Sequence, residues 1–353
     1  PYILTMTSGS TGDPKPIGLT QATKFERAMS AIGLYQVSAD DRILAATPLY
    51  HSLAERLALM AMISGATLVL KSRFSATQWM NTVREQRVSF TIAVSSQLKQ
   101  VAGHLACHQD DFSHTLRCVV SSSALLEPPV KAALIKRLDC DFHECYGASE
   151  IAIATNLSPG DAERKVSSVG RPIPGVEVMI VGDRDQPMEP GQVGEIVCRT
   201  PLSFSGYYQK HEKTVAAWWH EYFRTGDLGK LDEEGFLYYI GRKKELIISG
   251  GINIYPSDIE AVIGDVAGVD EVAAFAMDDS ALGEVVAVAV VPMAGSKPAL
   301  KALRLHCARN LSDYQIPRKI LLVESLPRNS MGKVVRRDLK QLLVDEPGEL
   351  RCA

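Results

Sequence analysis

Between Thr20 and Gly147 short apolar runs alternate with stretches in which apolar residues recur every three or four positions. Ile43 to Ala46, Thr67 to Leu70, Phe90 to Val94 and Cys118 to Val120 are strand-like. The stretches beginning at Ser52, Ser75, Ser96 and Pro128 read as helices, each opening on a residue type that favours a helix start. Ahead of them, Ala22, Phe25, Ala28, Met29 and Ile32 share one face of an amphipathic helix. This rhythm predicts an α/β fold with a helix-covered, mainly parallel sheet over residues 1–165. Ligands of such sheets sit beyond the carboxyl ends of the strands, where the loops after Thr5, Thr47 and Cys145 would fall.

The pattern changes at Val166. Up to Gly241, short strands are broken by turns such as Pro190-Gly191 and Glu234-Gly235, which predicts a β-rich subdomain over 166–241. The basic run Arg242-Lys243-Lys244 then marks a junction. Beyond it, residues 245–345 read as a small α+β domain, with helices from about Pro256 and Ala299 and near Arg336, and strands at Val272 to Phe275 and Val285 to Val291.

Composition narrows the functional classes. A formal charge of −3 over 353 residues gives no electrostatic reason to expect nucleic acid or an anionic membrane, so small-molecule chemistry is the expectation. The richest apolar stretch, Val285 to Met293, has strand length and falls short of the ~18 residues of a spanning helix. Seven scattered cysteines without a Cys-x-x-Cys pair fit free thiols in a reducing cytoplasm. The chain opens on Pro1 and a buried-looking strand, Tyr2 to Thr5, which suggests a missing upstream segment.

The densest chemistry is the run Thr7-Ser8-Gly9-Ser10-Thr11-Gly12-Asp13-Pro14-Lys15. Glycines let backbone N–H groups turn toward one point, hydroxyls add donors, and the lysine supplies positive charge, which together suit a polyphosphate. Gly12 is followed by Asp-Pro-Lys rather than by Lys and then Ser or Thr, so the run is not a Walker P-loop.

Further clusters follow in order: Pro48-Leu49-Tyr50-His51, Tyr146-Gly147-Ala148-Ser149-Glu150, Thr225-Gly226-Asp227, Gly241-Arg242 and Pro327 to Lys333. Their order and type resemble the adenylate-forming enzymes, a family that embraces acyl- and aryl-CoA synthetases, and the resemblance runs from Thr5 to Lys333. It implies a two-step reaction in which ATP and Mg²⁺ activate a small carboxylic acid as acyl-adenylate and coenzyme A captures the acyl group. By the same resemblance Thr7, Ser8, Gly9, Ser10, Thr11, Gly12 and Lys15 would hold the β- and γ-phosphates, and Ser149 would contact the α-phosphate. Tyr146 would lie against the adenine, with Gly147 and Tyr239 also in the nucleotide site, Asp227 would accept both ribose hydroxyls, Arg242 would help hold the ribose or phosphate, and Glu150 would ligate Mg²⁺. Lys333 would bridge the carboxylate and the α-phosphate as a mobile point charge.

The resemblance also implies a hinge at 242–244 centred on Lys244, a pantetheine tunnel beside Gly250 and Gly251, and a gate at His51 next to the acyl carboxylate. Ser122 lies in Val120-Ser121-Ser122-Ser123-Ala124, where relatives carry glycines in the floor of the acyl and adenine pocket; the added side chains disfavour a very bulky acyl group. Two alternatives share these motifs: an enzyme that loads a carrier protein's phosphopantetheine, and a nucleotide-binding fragment without turnover. If an upstream layer is missing, it or a second copy of the chain is expected to cover apolar helix faces. His104 and His108 stand four apart on an expected helix, but without a His-Glu-x-x-His pattern they predict no zinc site.

Overall fold

A chain that alternates strand and helix returns each strand beside its predecessor through a helical crossover, which makes the neighbours parallel. The computed structural model, which describes residues 2–6, 15–71, 73–107, 112–329 and 333–343, follows that rule in its first half. The elements there are β1 (Ile3–Met6), β2 (Pro16–Leu19), α1 (Gln21–Tyr35), β3 (Arg42–Ala45), α2 (Ser52–Ser64), β4 (Thr67–Leu70) and α3 (Ala76–Glu85). They continue with β5 (Phe90–Val94), α4 (Ser95–Cys107), β6 (Cys118–Ser122), α5 (Pro128–Arg137), β7 (Asp141–Ala148), β8 (Ala152–Leu157), α6 (Pro159–Ala162) and β9 (Arg171–Pro172). The sheet order is β4-β3-β5-β6-β7-β8-β9, parallel from β4 to β7 and antiparallel beyond. The strand order reverses at β3, so its carboxyl end, which leads to His51, opens beside a topological switch point. Leu44, Val119 and Phe142 of the sheet and Trp79, Val83, Leu98, Val101 and Leu134 of α3, α4 and α5 form one buried cluster.

Two expectations for this region are overturned. The opening strand does not head the parallel sheet; β1 and β2 form a separate antiparallel pair, with Tyr2, Leu4 and Met6 exposed. In α1 the buried residues are Lys24, Arg27, Ala28, Ala31 and Tyr35, whereas Phe25 and Met29 are exposed. The helix turns its cations inward because they find acceptors there: Glu55 for Lys24 and three main-chain carbonyls for Arg27. A satisfied charge can be buried where an unsatisfied one cannot.

The β-rich segment contains β10 (Glu177–Val181), β11 (Gly194–Arg199), α7 (His211–Val215), β12 (Trp218–Trp219), β13 (Tyr222–Leu231) and β14 (Leu237–Arg242). Its sheet runs β10-β11-β13-β12, with β14 added on β13. Trp218 packs among the rings of Phe204 and Phe223.

The chain divides into two compact units. Described residues up to Thr225, together with Gly229–Tyr239, form the first; Gly226–Leu228 and the described residues from Ile240 onward form the second. The second contains a 3₁₀ turn at Lys243–Glu245, then β15 (Ile247–Ser249), β16 (Ile252–Ile254), α8 (Pro256–Gly264), β17 (Val269–Asp279), β18 (Gly283–Pro292), α9 (Leu300–Asn310), β19 (Lys319–Leu322) and α10 (Arg336–Leu342). Its sheet order is β16-β15-β18-β17, with β19 parallel on β18. Both faces are covered: Val286, Val288 and Val290 join a core with Ile259, Ile263 and Leu303, while Ala287 and Ala289 join another with Phe275 and Leu339. That explains why β18 reads as a continuous apolar run rather than as an alternation.

Candidate active site

The turn after β7 is the best-defined part of the site in the first unit. Tyr146 is buried, and its ring lies 6.1 Å from that of Tyr239. Gly147 follows at an irregularity in the β7–β8 pairing, where a Cβ would stand 1.9 Å from the Ala152 carbonyl oxygen. Only glycine fits there, so the motif's second residue is dictated by close backbone approach.

Ser149 and Glu150 occupy the turn itself and are held through their main chain. Arg27 Nη1 donates to the Ser149 carbonyl at 2.9 Å, Nη2 to that of Glu150 at 2.8 Å, and Nε to that of Leu202 at 2.8 Å. Phe204 N donates to the same Glu150 carbonyl at 2.7 Å. The side chain is held as well: Tyr207 Oη donates to Glu150 Oε1 at 2.9 Å, and Lys15 Nζ sits 4.6 Å from the centre of the Tyr207 ring. Burial pushes the Arg27 guanidinium down to about 9, helped by the nearby Arg56, and burial followed by the Glu150 charge raises the Tyr207 phenol. Lys24, Arg27, Ser52, Arg56, Leu59 and Ser149 line a small cleft at this turn.

A second support lies beneath the segment that follows β6. Lys131 and Glu144 form an ion pair, both buried, with Lys131 Nζ also donating to the Ser168 carbonyl at 3.0 Å and Glu144 Oε1 accepting from Leu126 N at 3.1 Å. Desolvation is the largest influence on Glu144 and raises its pKa despite the ammonium beside it. Ser122 ends β6, and Ser123 after it has φ 76°, a left-handed conformation that is costly for a residue with a side chain. His51 precedes the first turn of α2 with its ring 4.4 Å from that of Tyr50. Its Nε2 is buried without a hydrogen-bond partner among the described residues, and burial lowers its pKa, so the neutral imidazole is favoured.

The second unit gathers Asp227, Arg242 and Lys333. Asp227 is buried, and its Oδ1 lies 2.8 Å from Arg242 Nε. Burial lowers the Lys333 pKa, and so does Arg242, while Asp227 and Glu245 oppose them. The Lys333 main chain is tied by its N–H to Asn329 Oδ1 at 3.0 Å. Arg336, three residues on, pairs with Glu245 and, at 2.7 Å, with Glu260. Lys244 lies in the 3₁₀ turn. Gly250 and Gly251 have φ of 55° and 83°, and Ser249 and Gly250 line a cleft of about 180 Å³ with Leu282, Tyr314 and Arg318.

The structure thus brings together Lys15, Ser149 and Glu150 through Tyr207 and Arg27, and separately Asp227, Arg242 and Lys333. Thr7, Ser8, Gly9, Ser10, Thr11 and Gly12 lie outside the described residues, as does His108. Arg27, Tyr207 and the Lys131–Glu144 pair escape sequence reasoning, because a polar position on a helix or a tyrosine in a turn carries no mark of its main-chain partners. Glu150 suits Mg²⁺: it is a hard oxygen donor whose Oε2 accepts no hydrogen bond among the described residues. No group of three or more metal-ligating side chains occurs among the described residues. Among those residues, too, no helix is long and apolar enough to cross a membrane.

The chain is similar to known proteins over nearly its whole length. Residues 1–208 match the family model of the AMP-binding enzymes, and residues 258–333 match that of the AMP-binding enzyme C-terminal domain. An indoleacetate–CoA ligase from Aromatoleum aromaticum is 36% identical over 346 residues, which is 97% of this chain and 67% of that protein. A 2-succinylbenzoate–CoA ligase from Geobacillus kaustophilus is 33% identical over 339 residues, 96% of this chain and 68% of the relative. Among solved structures, the o-succinylbenzoate CoA synthetase MenE from Bacillus subtilis, in complex with the acyl-adenylate intermediate OSB-AMP, superposes with a TM-score of 0.88 at 30% identity, covering 98% of this chain and 70% of that one.

Proposed function

The chain belongs to the AMP-binding enzyme family, and from that premise we propose that it is an AMP-forming ligase that joins a small-molecule carboxylic acid to coenzyme A. ATP, Mg²⁺ and coenzyme A are the cofactors of that chemistry. The substrate carboxylate attacks the α-phosphorus of ATP, the bond to the β-phosphate oxygen breaks, and pyrophosphate leaves from an acyl-adenylate. The thiol sulfur of coenzyme A then attacks the acyl carbonyl, its proton is lost, and AMP departs.

The observation that carries this reading is the turn after β7, where Ser149 and Glu150 stand side by side at the carboxyl end of a parallel-sheet strand under one arginine clamp. In the proposed roles, the Ser149 hydroxyl donates to the α-phosphate, and Tyr146, Gly147 and Tyr239 border the base. Glu150 would hold Mg²⁺, which when bound supplies positive charge against the phosphate oxygens. Asp227 and Arg242 orient the ribose, and Lys333 brings an ammonium to the carboxylate and the α-phosphate. His51 in its neutral form borders the acyl carboxylate without adding charge, and Ser122 limits the pocket floor. Lys244 serves as the hinge, and Gly250 and Gly251 leave room for the pantetheine arm. The described cysteines are free, which supports a reducing compartment such as the cytoplasm.

The relatives act on indoleacetate, 2-succinylbenzoate and long-chain fatty acids by name, so fatty acids are one acyl class among several. Pyrophosphate release is to be measured against short, medium, long and aromatic acids, with thioester detected by mass after coenzyme A is added. Release with thioester formation is the expected result. Release without thioester would favour a carrier protein as acceptor, and absence of release with every acid would refute the reading.

A further inference from the structure

We propose that Arg27 and Tyr207 are positioning residues that brace the Ser149–Glu150 turn against the strand leaving the phosphate loop, and so set the affinity of the site for Mg²⁺-bound nucleotide. The inference rests on the reading of Glu150 given above, and it concerns two residues that touch neither nucleotide nor metal in that reading.

Three observations carry it. Arg27 is buried, and its guanidinium spends three donors on main-chain carbonyls, two of them those of Ser149 and Glu150. Neutral carbonyls do not cancel its charge. Part of its positive field therefore stays behind the turn, offset by the nearby Glu150 and Glu55 carboxylates and reinforced by Arg56.

The second observation is the segment Leu202 to Tyr208. Its backbone bonds to both sides of the site: Phe204 N to the Glu150 carbonyl at 2.7 Å, and Gly18 N to the Gly206 carbonyl, Ser205 N to the Gly18 carbonyl and Tyr208 N to the Pro16 carbonyl at 2.9, 3.0 and 2.8 Å. Gly18 and Pro16 belong to β2, which begins one residue after Lys15. The third observation is Tyr207, whose ring face carries the Lys15 ammonium and whose hydroxyl donates to Glu150 Oε1. One side chain thus holds both the lysine that ends the phosphate loop and the carboxylate opposite it.

A hydrogen bond to one carboxylate oxygen fixes the rotamer and leaves the other oxygen for a metal. Partners of this kind change metal affinity or activity by about 10- to 100-fold when they are removed. The test is equilibrium binding of ATP by calorimetry, with and without Mg²⁺, and of Mn²⁺ by paramagnetic resonance in the presence of ATP, on the 353-residue chain and on Tyr207→Phe, Arg27→Lys and Arg27→Gln. Tyr207→Phe keeps the ring and loses only the hydroxyl. It is expected to weaken Mg²⁺-dependent ATP binding about 10-fold while metal-free ATP binding changes less than about twofold. Arg27→Gln is expected to exceed that loss, and Arg27→Lys to recover part of it, with the Mg²⁺ dependence of pyrophosphate release shifting in parallel.

Should the Arg27 variants fail to fold, Tyr207→Phe decides the question alone. Unchanged Mg²⁺-dependent binding in a folded Tyr207→Phe protein overturns the proposal. Equal losses with and without Mg²⁺ also overturn it, since they would mark a general packing role. If the unaltered chain shows no Mg²⁺-dependent ATP binding at all, the ligase reading itself fails, and that outcome is distinct from either.

Discussion

Replacing Lys131 by methionine, a side chain of similar length, removes the ammonium from a fully enclosed site and leaves the buried Glu144 carboxylate with one N–H donor, that of Leu126. Breaking a buried pair from one side costs about 3–5 kcal/mol, because the remaining charge keeps its desolvation penalty and loses its compensation. With roughly 2–4 °C per kcal/mol for a unit of this size, thermal unfolding followed by circular dichroism should shift down by about 6–20 °C at about pH 7.5. The deficit should shrink with acidity. Burial already holds the Glu144 pKa above its ordinary value, and loss of the ammonium raises it further. The folded variant then binds a proton more readily than the unfolded chain, so its stability falls as pH rises from the unfolded pKa to the folded one and is recovered on acidification. The double variant Lys131→Met, Glu144→Gln removes the charge but keeps an oxygen for Leu126 N, and should return to within about 2 kcal/mol of the parent. A single variant as stable as the parent at about pH 7.5, or a double variant no better than the single one, would refute the reasoning.

Lys333→Ala should lower the adenylation rate, measured as carboxylate-dependent ATP–pyrophosphate exchange, on the order of 10²- to 10³-fold, while thioester formation from a preformed acyl-adenylate is largely spared. Because burial depresses the Lys333 pKa, the charged form is lost as pH rises, and the basic limb of the adenylation profile should fall below the ordinary lysine range of about 10.4. Lys333→Arg, whose guanidinium stays charged, should flatten that limb even if its rate is lower. Gly147→Ala should cost several-fold or more in nucleotide affinity and lower the melting temperature, since its Cβ would meet the Ala152 carbonyl oxygen at 1.9 Å; a variant with parental melting and binding would count against the backbone constraint.

Much of this architecture is legible in the sequence because local patterns agree with the fold. The runs Thr67 to Leu70 and Phe90 to Val94 coincide with β4 and β5, and the helix starts at Ser52, Pro128 and Pro256 fall where serine and proline announce them. Legibility fails where tertiary contacts outweigh pattern. The apolar spacing of Phe25 and Met29 points to a buried stripe, yet that stripe is exposed, because Lys24 and Arg27 on the other side find an acid and three carbonyls that no local rule reveals. The tyrosine that supports Glu150 stands 57 residues from it, beyond the reach of any spacing argument. Short partners escape too: β15, β16 and β19 are three or four residues long and gain their definition from the neighbours they pair with.

The contrast between the two cores on β18 has a bearing on how the second unit avoids misassembly. Valines 286, 288 and 290 look one way and alanines 287 and 289 the other, toward the larger rings and branches of Phe275 and Leu339. A slip of one residue against β17 would trade these sets, crowding methyl groups into the tight side and leaving gaps in the roomy one. Overpacking of that kind costs about 1–3 kcal/mol per site, and the gaps add to it. The pattern of small and large residues thus acts as a key that admits a single alignment of the strands, even though both faces are equally greasy.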